Sequence, residues 1–284
     1  MNFRVFLFFL LAIGFTACSN SESSPTEEII QPLPDRAGEV IGVDEDLVPE
    51  HLTPGFWKVL KVHGTLERWQ QQRAVSFILR DFPTGGKKKL TDRHWVNLDS
   101  RKHLIEGDEY RVVFDGKATH AVPDLNQTGF PPHMYQAASF FMLGMPFVLA
   151  DENFSVTDAG MAEVDGHVYK QFNVRILENV GDGGNDYQLY VYPDTEVLRF
   201  ASWDLKYPSL ENQGLRQIAD FPSWQEKNGV LVPEVVRLYT ASEEITTDTE
   251  PDIFFYDEVK FSTTSFDEAR FRVPENAVKD TSTE

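Results

Sequence analysis

From Phe56 to Val62 apolar residues recur at helical spacing, with Pro54 near the start and Gly64 at the end, and the segment predicts a short helix. Beyond it the period falls to two. Ala74–Arg80, Leu90–Leu98, His103–Glu106 and Tyr110–Phe114 alternate apolar and polar positions and are rich in Val, Phe, Trp and Ile, the pattern of half-buried strands. Asp115-Gly116 then predicts a tight turn into Ala118–Val122. The same device stands at Asp165-Gly166, between Met161–Val164 and His167–Leu177, and at Asn228-Gly229, between Ile218–Trp224 and Leu231–Tyr239. Both central residues of such two-residue turns need positive φ, which Asp or Asn followed by Gly supplies. Further strands are expected at Tyr187–Tyr192, Val197–Lys206, Ile218–Phe221, Val232–Tyr239 and Ile253–Ser262, with Phe271-Arg272-Val273-Pro274 as a closing docked segment.

One stretch interrupts this antiparallel meander. Pro131-Pro132 lead into His133–Leu143, which stops at Gly144 and is followed by Met145-Pro146-Phe147. Proline at the start and glycine at the stop predict a helix. Its apolar residues wrap too far round for a surface helix, so more than one side is expected to be covered. It could lie across an open sheet. No fixed-period repeat and no composition break follow residue 50, and residues 51–284 read as one domain.

The N-terminus reads differently. Arg4, an almost unbroken apolar run from Val5 to Phe15 and the small residues before Cys18 have the build of a secretory signal over residues 1–17. The run is too short for a spanning helix, which takes about 20 residues. Cys18 is the only cysteine, placed where bacterial lipoprotein signals, which this segment resembles, carry their acyl anchor. The alternatives are a small residue at the end of an ordinary secretory peptide, or a free thiol in a transmembrane anchor. Residues 18–50 are acidic, polar and poor in core formers, and read as a disordered tether. With Cys18 acylated, no thiol is left for a disulfide or a thiolate-bound metal.

The net charge of −19 argues against nucleic acid, whose phosphates require clustered Lys and Arg. The one basic cluster, Lys87-Lys88-Lys89 beside Gly85-Gly86, reads as a solvated hairpin tip. Standard catalytic signatures are missing: there is no Gly-x-Ser-x-Gly turn, no His-Glu-x-x-His helix and no phosphate loop. His94 and His103, on neighbouring strands, could face one another with Asp92 or Asp99 nearby, while His120 and His133 flank the central loop. A metal needs three or four converging ligands, which spacing alone does not supply. Asp182–Asp186 gathers oxygen ligands around glycines without the full calcium-loop pattern and reads as a hairpin loop. No cofactor and no catalysis are expected. The apolar inventory is more informative. Phe140, Phe141, Met142, Leu143, Met145 and Phe147 could form an adaptable lid, with Trp95, Phe114, Tyr190 and Trp203 on the sheet beneath it. A filled core is the competing reading.

The order of parts resembles the LolA and LolB type of periplasmic lipoprotein carriers and receptors and their lipoprotein relatives. The residues that carry it are Phe114-Asp115-Gly116, the His133–Leu143 helix, Tyr190-Val191-Tyr192-Pro193-Asp194-Thr195-Glu196-Val197-Leu198 and Phe271-Arg272-Val273-Pro274. His63-Gly64 with Trp69, and then Met145–Asp151, are similar to a family of bacterial lipoproteins of unknown function in or near that group. The resemblance implies an α+β, mainly β fold: a curved antiparallel sheet, an unclosed half-barrel, whose concave apolar face is covered by helices and admits acyl chains. The carriers are soluble, whereas Cys18 implies an anchor, a departure that argues against shuttling. With Ser19 after the cysteine, the chain is expected to be an envelope lipoprotein at the outer membrane, held by its lipid (palmitate is the expected acyl group) and binding an acyl chain or another lipoprotein's anchor. The alternatives are a structural or interaction lipoprotein with a filled core, or an envelope hydrolase.

Overall fold

The computed structural model describes residues 47–84, 88–177, 186–204, 216–241 and 249–282. Cys18, the signal, nearly all of the tether, the Gly85–Lys87 tip and most of the Asp182–Asp186 loop lie outside the described residues.

Two helices, α1 (Pro54–Val62) and α2 (Leu66–Gln71), precede five strands, β1 (Ala74–Pro83), β2 (Lys89–Asn97), β3 (His103–Glu106), β4 (Arg111–Phe114) and β5 (Thr119–Val122). A third helix, α3 (Pro132–Leu143), and a 3-10 turn (Phe147–Ala150) come next. The chain then forms β6 (Phe154–Val164), β7 (His167–Ile176), β8 (Tyr187–Val191), β9 (Leu198–Asp204), β10 (Arg216–Lys227), β11 (Val230–Ala241) and β12 (Asp252–Ser262). A second 3-10 turn (Glu268–Phe271) and the two-residue β13 (Val278–Lys279) finish it.

The thirteen strands form one antiparallel, unclosed sheet in the order β13-β5-β4-β3-β2-β1-β12-β11-β10-β9-β8-β7-β6. The chain starts at the centre and meanders out to β5. It restarts at the opposite edge with β6 and meanders back until β12 pairs with β1. Residues 123–153 therefore have to cross a face of the sheet, and α3 belongs to that crossover.

Alternation decides which face this is. Val75, Phe77 and Leu79 of β1, Phe172 and Val174 of β7, Leu189 of β8 and Val236 of β11 join one apolar cluster. Phe56, Trp57, Val59 and Leu60 of α1, and Phe140, Met142 and Leu143 of α3, belong to the same cluster. The other face carries smaller clusters, one of Tyr169, Tyr190, Phe200, Ile218 and Tyr239 with Val164, and one of Leu104, Val113 and Phe271. The closing Phe271 segment is thus docked on the sheet, as its sequence suggests. Among the described residues no helix is long and apolar enough to cross a membrane.

The two-residue turns form at Asp165-Gly166 (φ 49° and 76°) and Asn228-Gly229 (φ 53° and 77°). Asp115-Gly116 differs. Phe114 pairs with Thr119, leaving a four-residue loop in which only Gly116 has positive φ. The Asp115 carboxylate accepts from the backbone N–H of Lys117 and Ala118, so side-chain capping replaces the tighter turn. The sequence reading also leaves out α2, β13 and the first half of β6. In α2, Thr65 takes φ 74° and its hydroxyl accepts from Arg68 N. That cap carries no apolar periodicity to announce it.

Gly64 seats α1. Its φ is +119°, and a Cβ there would stand 2.1 Å from the Gly229 carbonyl oxygen, so only glycine lets the helix end meet the β10–β11 turn. The adjacent His63 carbonyl accepts from Leu231 N at 2.7 Å. The fully buried His63 ring donates from Nδ1 to the Val59 carbonyl at 2.7 Å and lies edge-on to Trp224. Burial lowers its pKa from 6.5 to about 4, against the opposing pull of that hydrogen bond. As pH falls below about 6.5 the unfolded chain takes up this proton and the folded chain does not, so stability drops until about pH 4 and then levels off. The expected loss is about 3 kcal/mol. Urea unfolding of the wild type and of His63→Gln between pH 7 and 4 measures it. An unchanged pH slope in the variant would exclude His63 as the source.

Candidate functional site

The place where α3 crosses the sheet is polar at one end and apolar at the other. The polar end begins with β2, whose alternation turns Asp92 and His94 to the same side as the apolar cluster. Both side chains are fully buried. The Asp92 Oδ2 atom accepts from the Tyr135 hydroxyl of α3 at 2.7 Å and from the Tyr110 hydroxyl. Its Oδ1 atom stands 2.6 Å from His94 Nε2. His94 Nδ1 is 2.9 Å from His103 Nε2 on β3, and His103 Nδ1 is 3.1 Å from the side-chain nitrogen of Gln136 on α3. Phe77 stacks on His94 at 4.4 Å and fixes its plane.

Proton positions follow from the partners. A carboxylate that accepts three bonds requires His94 to carry its proton on Nε2. His94 Nδ1 then accepts from His103 Nε2–H, and His103 Nδ1 accepts from the Gln136 amide. In this arrangement each ring nitrogen of the pair has a partner, and the chain of bonds ends on the Asp92 carboxylate. Burial, and then the proximity of His94, hold His103 well below the ordinary imidazole range. Burial and the Asp92 charge push the Tyr135 hydroxyl well above the ordinary phenol range. With all its members except the half-buried Tyr110 closed off from solvent, the chain acts on position: it ties α3 to β2 and β3.

Three more bonds hold the helix. The Tyr256 hydroxyl of β12 donates to the Ser139 carbonyl at 2.8 Å. At the N-terminus, where Pro131 provides no side-chain cap, Asp280 accepts from His133 N at 2.9 Å. The hydroxyl of Thr119 on β5 lies 3.1 Å from His133 Nδ1. At the other end Gly144 stops α3 with right-handed angles. It is glycine for space, since a Cβ would meet Val148 at 2.4 Å.

The apolar end holds most of the residues singled out from sequence. Phe140, Met142, Met145 and Phe147 are buried in the main cluster, with Phe147 stacked on Trp69 at 5.1 Å. Phe141 packs on Tyr187 at 5.0 Å, and Tyr187 on Trp203 at 5.9 Å, which links α3 to β8 and β9. Phe114 lies opposite His103 and 6.4 Å from the His133 ring. Trp95 and Tyr190 are elsewhere: they pack with the Leu104 and Phe200 clusters on the other face, because each stands one residue out of phase with the inward positions of its strand. Sequence reasoning missed Tyr110, Tyr135, Gln136 and Tyr256. The adjacent polar pair Tyr135-Gln136 inside an otherwise apolar helix was the available signal.

A separate open cleft of about 420 Å³ crosses β6, β7 and β8, lined by Ser155, Thr157, Asn173, Arg175 and Gln188 among others. It includes none of the sequence-chosen residues. Among the described residues no group of three or more His, Cys, Asp or Glu side chains is placed to hold a metal ion.

No family model matches the chain, and no curated protein matches it. Among solved structures it is similar to a DUF1329 family protein from Desulfovibrio piger (9% identity, TM-score 0.43, covering 76% of this chain and 96% of that one). A LolA superfamily protein from Nitrosomonas europaea is similar at 10% identity and TM-score 0.41, with 76% and 96% covered. The Mycobacterium tuberculosis lipoprotein LppX is similar at 13% identity and TM-score 0.23, with 54% and 88% covered. The group named from sequence motifs therefore recurs among the structural neighbours. Likeness of this degree assigns neither ligand nor activity.

Proposed function

We propose that this chain is a bacterial envelope lipoprotein, anchored at the outer membrane through acylated Cys18, that binds a hydrophobic ligand between its sheet and α3 without breaking a bond. The ligand is an acyl chain or the lipid anchor of another lipoprotein. The observation that carries this reading is the divided seat of α3. Hydrogen bonds hold it to the sheet as far as Ser139, and its last turn, with Met145 and Phe147, rests on an apolar wall. Hydrogen bonds can be exchanged with water as a cover lifts, and apolar burial at about 25 cal/mol per Å² would drive a chain into the space beneath.

Curvature of the sheet fits the same reading. His133 meets β5 and Ser139 meets β12, a stretch of helix that rises about 9 Å. In a flat sheet those strands would be about 24 Å apart. A half-barrel wrapped around α3 brings them together. Two or more acyl chains on Cys18 would make the anchor stable.

The complete side-chain shielding of Phe56, Phe77, Leu79, Ile105, Leu143 and Phe254 favours a second reading, a structural or interaction lipoprotein with a filled interior. Native mass spectrometry after gentle purification separates the two. One acyl ligand per chain, lost in Met145→Trp, is expected. Repeated absence of lipid, with one dominant protein partner on envelope crosslinking, would establish the second reading instead.

A further inference from the structure

We infer that Arg101 reads the headgroup of the bound ligand, which makes that ligand an anionic amphiphile with a carboxylate or phosphate at the end of its chain. This rests on the acyl-binding reading above and adds the chemical class of the ligand.

Arg101 lies in the turn between β2 and β3 with φ +59°, a conformation uncommon for any residue other than glycine. The turn thereby fixes the direction in which the side chain leaves. Its guanidinium stands over the Phe140 ring at 5.4 Å, and Phe140 belongs to the apolar half of α3. The charge is therefore held at the rim of the apolar bed, with 47% of the side chain open to solvent.

Arg101 combines this place over a ring of α3 with weak pairing. Arg80 meets Asp257 at 2.6 Å, Arg93 meets Glu258 at 2.8 Å, Arg199 meets Asp220 at 2.8 Å and Arg216 meets Asp204 at 3.0 Å. Arg101 has Asp151 at 3.9 Å, beyond hydrogen-bond reach, and no side-chain hydrogen bond among the described residues. A guanidinium carries five N–H donors in a planar fork that matches a carboxylate or phosphate. Desolvation also lowers the Arg101 pKa, with the Asp151 charge opposing it, as befits a cation that its surroundings only partly compensate.

The position suits an amphiphile better than a free ion. In a chain of net charge −19 an anion is repelled at long range. A ligand drawn in by its apolar tail would bring its charge to the guanidinium at the rim.

The test titrates the full-length protein and its Arg101→Gln and Arg101→Lys variants with four probes: oleate, oleoyl lysophosphatidate, oleyl alcohol and inorganic phosphate. At least one charged amphiphile is expected to bind the wild type about tenfold more tightly than the alcohol, and which one does so identifies the headgroup. Arg101→Gln should lose this advantage and leave alcohol binding unchanged, and Arg101→Lys should keep part of it. Phosphate alone should not bind. If the alcohol binds but the anionic advantage is absent, or survives Arg101→Gln, the headgroup role is refuted and acyl binding stands. If phosphate alone binds as well as the lysophosphatidate, the site serves a free anion and the inference falls. If no amphiphile binds the wild type, both readings fall together.

Discussion

Asp92→Ala should lower the stability of the folded chain by about 4 kcal/mol. The carboxylate is where every donor of the buried network ends: Tyr135, Tyr110 and His94 give to it directly, and His103 and Gln136 give through His94. Alanine leaves the Tyr135 hydroxyl and the His94 N–H without acceptors in a space closed to water, at about 2 kcal/mol each. Tyr110 is only partly buried and can turn toward solvent. Tyr135→Phe is the control, since it removes one donor together with its bond and leaves the carboxylate two partners. Its expected cost is about 1 kcal/mol. Urea unfolding followed by circular dichroism measures both. Equal losses in the two variants would mean that the carboxylate does not organise the network.

The second large effect is on the opposite face. Arg199 and Asp220 are 9% and 1% exposed, with Nε 2.8 Å from Oδ1, and Arg237 approaches the same carboxylate at 3.6 Å. Asp220→Ala removes the buried carboxylate that the Arg199 guanidinium meets, and breaking a buried pair in this way costs about 3 to 5 kcal/mol. Arg237, nearly a third exposed, can turn outward. Replacing the pair together by Asp220→Leu and Arg199→Met should restore much of the loss, because two apolar groups need no partner. The same unfolding assay decides. A double variant no better than Asp220→Ala would show that the ion pair is not what the single change disrupts.

The strands were legible because half-buried sheet writes its period into the sequence: β3 is found at His103–Glu106, as its alternation indicates, and the Asp-Gly and Asn-Gly turns mark two hairpins. Strand order was not legible, since local pattern cannot show that β1 waits for β12 rather than closing on a nearer strand. The apolar bed followed from composition around α3. Trp95 and Tyr190 fell outside it because a large aromatic says nothing of which face it takes until the phase of its strand is known. His94 and His103 were paired correctly from neighbouring strands, but the helix partners that complete the network come from a distant segment. Arg101 left no trace in the sequence because its marks, weak pairing together with a place over the Phe140 ring, are properties of three-dimensional distance alone.

Since β12 sits between β1 and β11, the centre of the sheet is completed by a strand synthesised after both meanders. A premature stop before residue 252 would remove a keystone instead of trimming a border. The two meanders would then share no ladder, and each would present a raw inner edge to other unfinished chains.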